Sequence, residues 1–237
     1  MLSKRVLLYF VIVVHKKTII IFLSTILLLT VSAGIYIYLI EDITFTPLPF
    51  MLPAFTSTKL GISGDPIDIV IIGSEDTIKQ DFQKAAWLVP DKTTKATTEK
   101  IIKASIKNAS YPTAPVSNLY LYKRKEDLAF ELPTQTVRKR HHVRLWKTTY
   151  AISGKPVWIG ADTYDSRIEL SPLGLFPTHH VDADVDKERD FLTSTLSSAH
   201  VLLSVTQQRL TLPILLRFNG NGDWYHDSGI INVITLK

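Results

Sequence analysis

One stretch of the chain is uniformly apolar, and the rest is patterned. Thr18–Ile40 reads TIIIFLSTILLLTVSAGIYIYLI, 23 residues with no charge. As a helix rising 1.5 Å per residue it reaches the roughly 30 Å needed to cross a hydrocarbon core. A helix also satisfies every backbone polar group internally, as lipid demands. Beyond it the periodicities shorten. Ile67–Ile72 (IDIVII) is rich in β-branched residues and ends at Gly73, which predicts a buried strand. Ser74 then precedes Glu75 and Asp76, and Ile78, Phe82, Ala85 and Ala86 recur at helical spacing, which predicts a helix over Glu75–Trp87. A second helix is predicted over Thr98–Lys107, and a third from Val185 to Ser198 with Asp184 as its cap and Phe191, Leu192, Thr195 and Leu196 inward. Strands are predicted at Leu119–Tyr122, Val137–Trp146, Pro156–Thr163, Val201–Val205 and Ile230–Leu236. This order neither alternates nor segregates. It predicts an α+β fold, a mixed sheet with flanking helices, preceded by one transmembrane helix.

Four parts follow: a basic cytoplasmic or interfacial segment over 1–17, the spanning helix over 18–40, an extracytoplasmic linker over 41–63, and a domain over 64–237. The linker holds Pro47, Pro49 and Pro53 and has no helical period. Lys16 and Lys17 precede the apolar run and Glu41 and Asp42 follow it. The positive-inside rule then places the N-terminus in the cytoplasm and the domain in the periplasm, as a signal anchor. Val31-Ser32-Ala33 has the small-residue pattern of a signal-peptidase site, but the apolar run continues for seven residues past it, which argues against cleavage.

Charge changes the picture only at the N-terminus. The chain has 27 Lys and Arg against 22 Asp and Glu. Lys4, Arg5, Lys16 and Lys17 are unmatched by any acid in the first forty residues, so the remainder is nearly balanced, with 23 basic and 22 acidic residues. Nucleic acid is therefore not an expected partner. With no Cys at all, disulfide frameworks, thiolate metal sites and a cysteine nucleophile are excluded.

Three clusters carry candidate chemistry. In RKRHHVRLW (Arg138–Trp146), strand alternation puts His141 with Val137, Val143 and Leu145 on an apolar face, and Arg138, Arg140, His142 and Arg144 on the other. A row of cations is a candidate ligand-binding stripe for phosphate or carboxylate, because guanidinium forks match those groups. The competing reading is that acids from neighbouring strands, such as Asp162 and Asp165, neutralise it. In THHVDADVDKERDF, His179 and His180 begin a run of acids. With His141 they are candidate ligands for a divalent metal, although the spacing matches no established ligand motif. Capping and first-turn acids explain the Asp run without a ligand, and Lys187, Glu188 and Arg189 read as surface charges. The Gly-rich segment Asn219–Gly229 adds Asp223 and His226, without P-loop or dinucleotide-binding context. Candidate catalytic residues are thus His141, His179, His180, Asp223 and His226. Trp87, Trp146 and Trp158 read as core.

GDPIDIVIIGS (Gly64–Ser74), YPTAPVSNLYLY (Tyr111–Tyr122), RKRHHVRLW, GKPVWIGADTYD (Gly154–Asp165) and THHVDADVDKERDF (Thr178–Phe191) resemble, in order and spacing, the LssY C-terminal domain; NGNGDWYHDSG (Asn219–Gly229) is a looser match to that family's ending. The resemblance implies an extracytoplasmic bacterial domain. Its relatives are joined to DedA-type membrane modules or to lipid-phosphate phosphatases, and it implies no defined reaction. Three functions are expected from the whole. The first is a membrane-anchored accessory domain of the cell envelope that binds an anionic lipid phosphate or polymer, held by the bilayer through 18–40 and partnered by an envelope or membrane protein. The second is a His/Asp hydrolase of the envelope, with or without a metal. The third is a purely structural interaction domain.

Overall fold

The computed structural model describes residues 17–33, 52–170, 177–210, 214–218 and 222–237. The chain forms two compact units, residues 1–44 and 45–237. In the first, residues 17–33 are a helix, α1, with Ile20, Leu27, Leu28 and Leu29 all exposed. No helix among the described residues is long and apolar enough to cross a membrane. The predicted spanning segment 18–40 runs seven residues past α1, and those residues lie outside the described ones.

The second unit runs β1 (Phe55–Ser57), β2 (Ser63–Pro66), β3 (Ile69–Ile72), α2 (Glu75–Lys84), α3 (Lys95–Ile106), β4 (Tyr120–Leu121), β5 (Arg124–Lys125), β6 (Leu128–Pro133), β7 (Arg140–Ile152), β8 (Lys155–Leu170), β9 (Pro177–Val181), α4 (Val185–Ser198), β10 (Leu202–Arg209), β11 (Ile214–Phe218), β12 (Trp224–Asp227) and β13 (Ile230–Leu236). Seven strands form the main sheet in the order β10-β13-β3-β8-β7-β6, with β9 added to the far half of β8. Only β13 and β3 are parallel; the other pairings in this sheet are antiparallel. The mixed α+β expectation therefore holds. A smaller sheet, β2-β1-β4-β5, and a separate β11–β12 hairpin complete the fold.

Strand alternation explains the layers. Ile69 and Ile71 of β3, Val143 and Leu145 of β7 and Trp158 of β8 face α2 and α4, and pack with Ile78, Phe82, Leu192 and Leu196 in the main core. Trp146, Ile159 and Ala161 point the other way and meet Ile67, Leu119 and Leu121. Trp87, Trp146 and Trp158 are all buried, as read from the sequence. Gly160 is a point of close approach within the sheet: a Cβ there would lie 2.4 and 2.6 Å from Ile69 and 2.8 Å from Leu145.

Local signals place the helices. Ser74 caps α2 by accepting from the Thr77 amide at 3.0 Å, and Ala86, with φ of 66°, breaks the helix short of Trp87. Thr94 and Thr97 form a capping box that starts α3 three residues earlier than predicted. Asp184 sits at the N-cap of α4 but makes no capping bond; its carboxylate pairs with Lys187 at 3.1 Å.

Three sequence expectations need correction. Strand structure begins at Phe55, within the stretch read as linker, because Thr56 and Ser57 bond to β2 and β4. Val137 and Arg138 lie in a turn before β7, so Val137 packs with Ala104, Tyr111 and Ala114 rather than beside His141. The Asn219–Gly229 loop contains strand β12.

Candidate functional site

The Arg/His row of β7 does share one face of the strand from Arg140 onward, but that face is interior. Arg140, His142 and Arg144 are 2%, 3% and 6% exposed. Acids meet all three. Arg140 Nη1 donates to Glu131 Oε2 of β6 at 3.0 Å and to the Ala114 carbonyl at 3.2 Å. His142 Nε2 donates to Asp165 Oδ2 of β8 at 2.7 Å. Arg144 Nη1 donates to Asp65 Oδ2 of β2 at 3.0 Å, and its Nε to the Ser117 carbonyl at 3.1 Å. The row is thus a closed network of buried hydrogen bonds under β2 and the Ala114–Ser117 segment, and not a solvent-facing stripe. Asp165 is the partner that the sequence offered; Glu131 and Asp65 were not foreseen. Burial lowers the His142 pKa to about 4, against the pull of Asp165, so the ring is neutral near pH 7. Burial raises Glu131 to about 8 despite Arg140, and raises Asp65 despite Arg144.

The opposite face carries a second polar group inside the helix layer. His141 Nδ1 meets Glu188 of α4 at 2.8 Å, and its ring stacks on Phe191 at 4.2 Å and lies 4.6 Å from Tyr164. The two histidines do occupy opposite faces. Their burial is the reverse of the expected order, since the His141 side chain is 17% exposed and that of His142 only 3%. Asp162, predicted to neutralise the arginines, points to this helix face instead and sits against Asp68, whose Oδ1 accepts from the Asp162 amide at 3.2 Å. Asp68 Oδ2 and both Asp162 carboxyl oxygens are buried without a hydrogen-bond partner in the structure. Burial, with the neighbouring carboxyl, holds Asp68 well above its ordinary value; burial, with the Glu188 charge, lifts Asp162 to about 7. Two adjacent buried carboxyls cannot both ionise cheaply, so the pair retains a proton near neutrality.

Glu188 and Arg189, read as surface charges, are both 4% exposed. Their spacing was the available signal: Val185, Glu188 or Arg189, Leu192 and Leu196 fall on one helical stripe. Arg189 is held by Asp186 at 2.7 Å, Asp190 at 3.0 Å and the Ile230 carbonyl at 2.7 Å.

His180 and His226 have partners of their own. His180 Nδ1 pairs with Asp223. His226 joins Asp184 through a parallel backbone bridge, its amide donating to the Ala183 carbonyl at 2.8 Å. The His179 side chain lies outside the described ones. Among the described residues, no three His, Asp or Glu side chains are grouped to hold a metal ion, so His141, His180, Asp223 and His226 do not converge as a shared ligand set.

An open cleft of about 500 Å³ lies beside this core. Arg138, Lys139 and Arg167 line it together with Asn108, Thr136 and Ser166, and no Asp or Glu is among its described lining residues. The Thr134–Lys139 turn that presents two of these cations is tied by Thr134 Oγ1, which donates to the Lys139 carbonyl at 2.5 Å, and by Thr136 Oγ1, which donates to Asn108 Oδ1 at 2.7 Å. Arg138 Nε donates to the Ser105 carbonyl at 2.8 Å, fixing the stem of its guanidinium. All three cations are exposed. Lys139 stands within RKRHHVRLW but falls off the strand alternation that singled out Arg138, and Arg167 belongs to no motif; the fold alone brings Arg167 beside the other two.

The family model described as LssY C-terminus matches residues 50–230. The chain belongs to this family. No curated protein and no solved structure matches it.

Proposed function

We propose that the chain is a membrane-tethered envelope domain that binds an anionic ligand bearing phosphate, through the cleft of Arg138, Lys139 and Arg167. One observation carries this reading: three cations and a set of hydroxyl and amide groups line one open cleft together. Guanidinium donors bind phosphate oxygens as paired forks, and the ammonium of Lys139 adds a point charge. Of the row predicted to bind ligand, only Arg138 serves here. Arg140, His142 and Arg144 are instead bound inside the fold by Glu131, Asp165 and Asp65.

The tether in this reading is the uncharged run Thr18–Ile40, with Lys16 and Lys17 on its cytoplasmic side and the domain outside. Lipid phosphates and phosphorylated envelope polymers share the chemistry that the cleft offers.

The test is binding of the full chain, reconstituted in phosphatidylcholine nanodiscs, to glycerol phosphate and to phosphatidic acid added to the discs. Arg138→Ala, Lys139→Ala and Arg167→Ala should each weaken binding by roughly tenfold, the scale of one lost charge-assisted hydrogen bond. Affinity should fall as salt rises. Binding that is unchanged in all three variants would overturn the reading.

A further inference from the structure

The β11–β12 hairpin has two unlike faces. On the inner face, Tyr225 is 1% exposed, Arg217 lies over the Phe55 ring of β1 at 3.6 Å, and its Nη2 donates to Ser63 Oγ of β2 at 3.5 Å. Alternation turns Leu216, Phe218 and Trp224 outward, and Phe218 and Trp224 are cross-strand partners on that outer side. These three side chains are 61%, 60% and 52% exposed. The β1–β2 turn, reached by the Arg217 contacts, carries two more exposed apolar residues: Leu60 at 87% and Ile62 at 46%, with Lys59 beside them.

We propose that the outer face of the β11–β12 hairpin, with the Leu60–Ile62 turn, rests on the surface of a lipid bilayer. This rests on the reading of Thr18–Ile40 as the membrane tether. From Glu41 to Ala54 there are 14 residues, which span at most about 50 Å when fully extended. The tether feeds directly into β1, the strand that Arg217 grips from the hairpin. The apolar face is therefore built on the element where the chain arrives from the apolar run.

The chemistry also favours lipid over a protein partner. Exposed Trp, Phe and Leu on a hairpin, with a Lys beside a Leu on a turn, is the composition of a membrane interface. A protein partner needs a contiguous, shape-matched patch. A fluid interface accepts single side chains from separate protrusions.

Trp224 is a native reporter, because Trp87, Trp146 and Trp158 are at most 1% exposed. The full chain is reconstituted in vesicles of phosphatidylcholine and phosphatidylglycerol, with or without brominated acyl chains. The expected result is a blue-shifted Trp224 emission that bromine quenches and aqueous iodide does not. Trp224→Phe should remove the lipid-dependent quenching, and Leu216→Ser with Phe218→Ser should weaken it while leaving the buried tryptophan emission unchanged. Emission quenched by iodide alone overturns the proposal, and so does a blue-shifted emission that bromine leaves untouched, which indicates a protein cover. Vesicle flotation separates the two readings. A chain that floats with an unquenched Trp224 overturns this proposal alone; a chain that does not float overturns the tether with it.

Discussion

Glu188, one turn into α4, meets His141 of β7 at 2.8 Å across the helix–sheet interface. The contact ties the helix to the strand at a point where the surrounding packing is aromatic. It also sets one charge near Asp162, whose own partner is Asp68. Several carboxyls of this domain lie where water is scarce, and these set how stability depends on pH.

Asp162 moves from an ordinary value of 3.8 to about 7, and Glu131 from 4.5 to about 8, both raised chiefly by burial. A raised carboxyl binds its proton more tightly when folded, so its contribution is complete below the unfolded value and is lost as pH rises through the folded one. His142 moves the other way, from 6.5 to about 4, so its contribution is lost as pH falls below 6.5. Two raised carboxyls outweigh one lowered imidazole, and above pH 6.5 the carboxyl trend acts alone. Melting temperature should therefore fall by several degrees between pH 6.5 and pH 8. In Asp162→Asn the alkaline fall should be shallower. A maximum at pH 8 or above in the native chain would contradict the burial argument.

His142→Ala should cost at least as much stability as His141→Ala. His142 is the deeper of the two and leaves Asp165 in the interior with its Arg140 contact at 3.9 Å. Removing the hydrogen-bond donor of a buried carboxyl typically costs about 1–3 kcal/mol, and more where the group is charged. Arg140→Ala belongs to the same class, whereas Arg138→Ala, at an exposed turn, should change stability by less than about 0.5 kcal/mol. Denaturant melts of the four variants decide the ranking. A His142→Ala protein that melts with the native chain would show that the Asp165 contact is dispensable.

These outcomes also mark what the sequence could and could not disclose. The alternation through Val143 and Leu145 located the two faces of β7 correctly, and Ile230–Leu236 appears with the boundaries that its pattern predicts. The apolar period cannot say what covers a face. The Arg/His row looks solvent-facing in one dimension because its acids come from β2, β6 and β8, up to 79 residues away along the chain. Glu188 and Arg189 were legible in principle, since they share a stripe with Leu192 and Leu196, but charge outweighed period in reading them. The cleft of Arg138, Lys139 and Arg167 has no sequence signature, as it arises only where the turn before β7 meets the far half of β8.

Gly160→Ala should be strongly destabilising for a steric reason. The added methyl would meet Ile69 at 2.4 and 2.6 Å and Leu145 at 2.8 Å, in the middle of the sheet where neither neighbour can swing into solvent. Overpacking of this kind costs about 1–3 kcal/mol or more. Combined with Ile69→Ala, the loss should be less than the sum of the two single losses, because the second change removes the two nearest clashing atoms. Additive losses in urea melts would place the cost elsewhere, in the strand backbone.

Asp186 offers the final test, since it joins α4 to the turn between β12 and β13. Its Oδ2 accepts from the Ser228 amide at 3.0 Å, and its Oδ1 accepts from Ser228 Oγ at 2.8 Å and from Arg189 Nη1 at 2.7 Å. A carboxylate in the first turn is also favoured by the helix dipole. In Asp186→Ala the Ser228 amide loses its acceptor and Arg189, 5% exposed at its side chain, loses one of its acids. The expected cost is about 1–3 kcal/mol. Asp186→Asn keeps one side-chain oxygen for a donor and should lose less. Hydrogen exchange gives the local readout: the Ser228 amide should exchange faster in Asp186→Ala, while amides of Val70 and Ile71 in β3 keep their protection relative to global stability. Uniform acceleration across the sheet, with no excess at Ser228, would mean that the turn is held by β13 pairing alone and that Asp186 acts only through the helix.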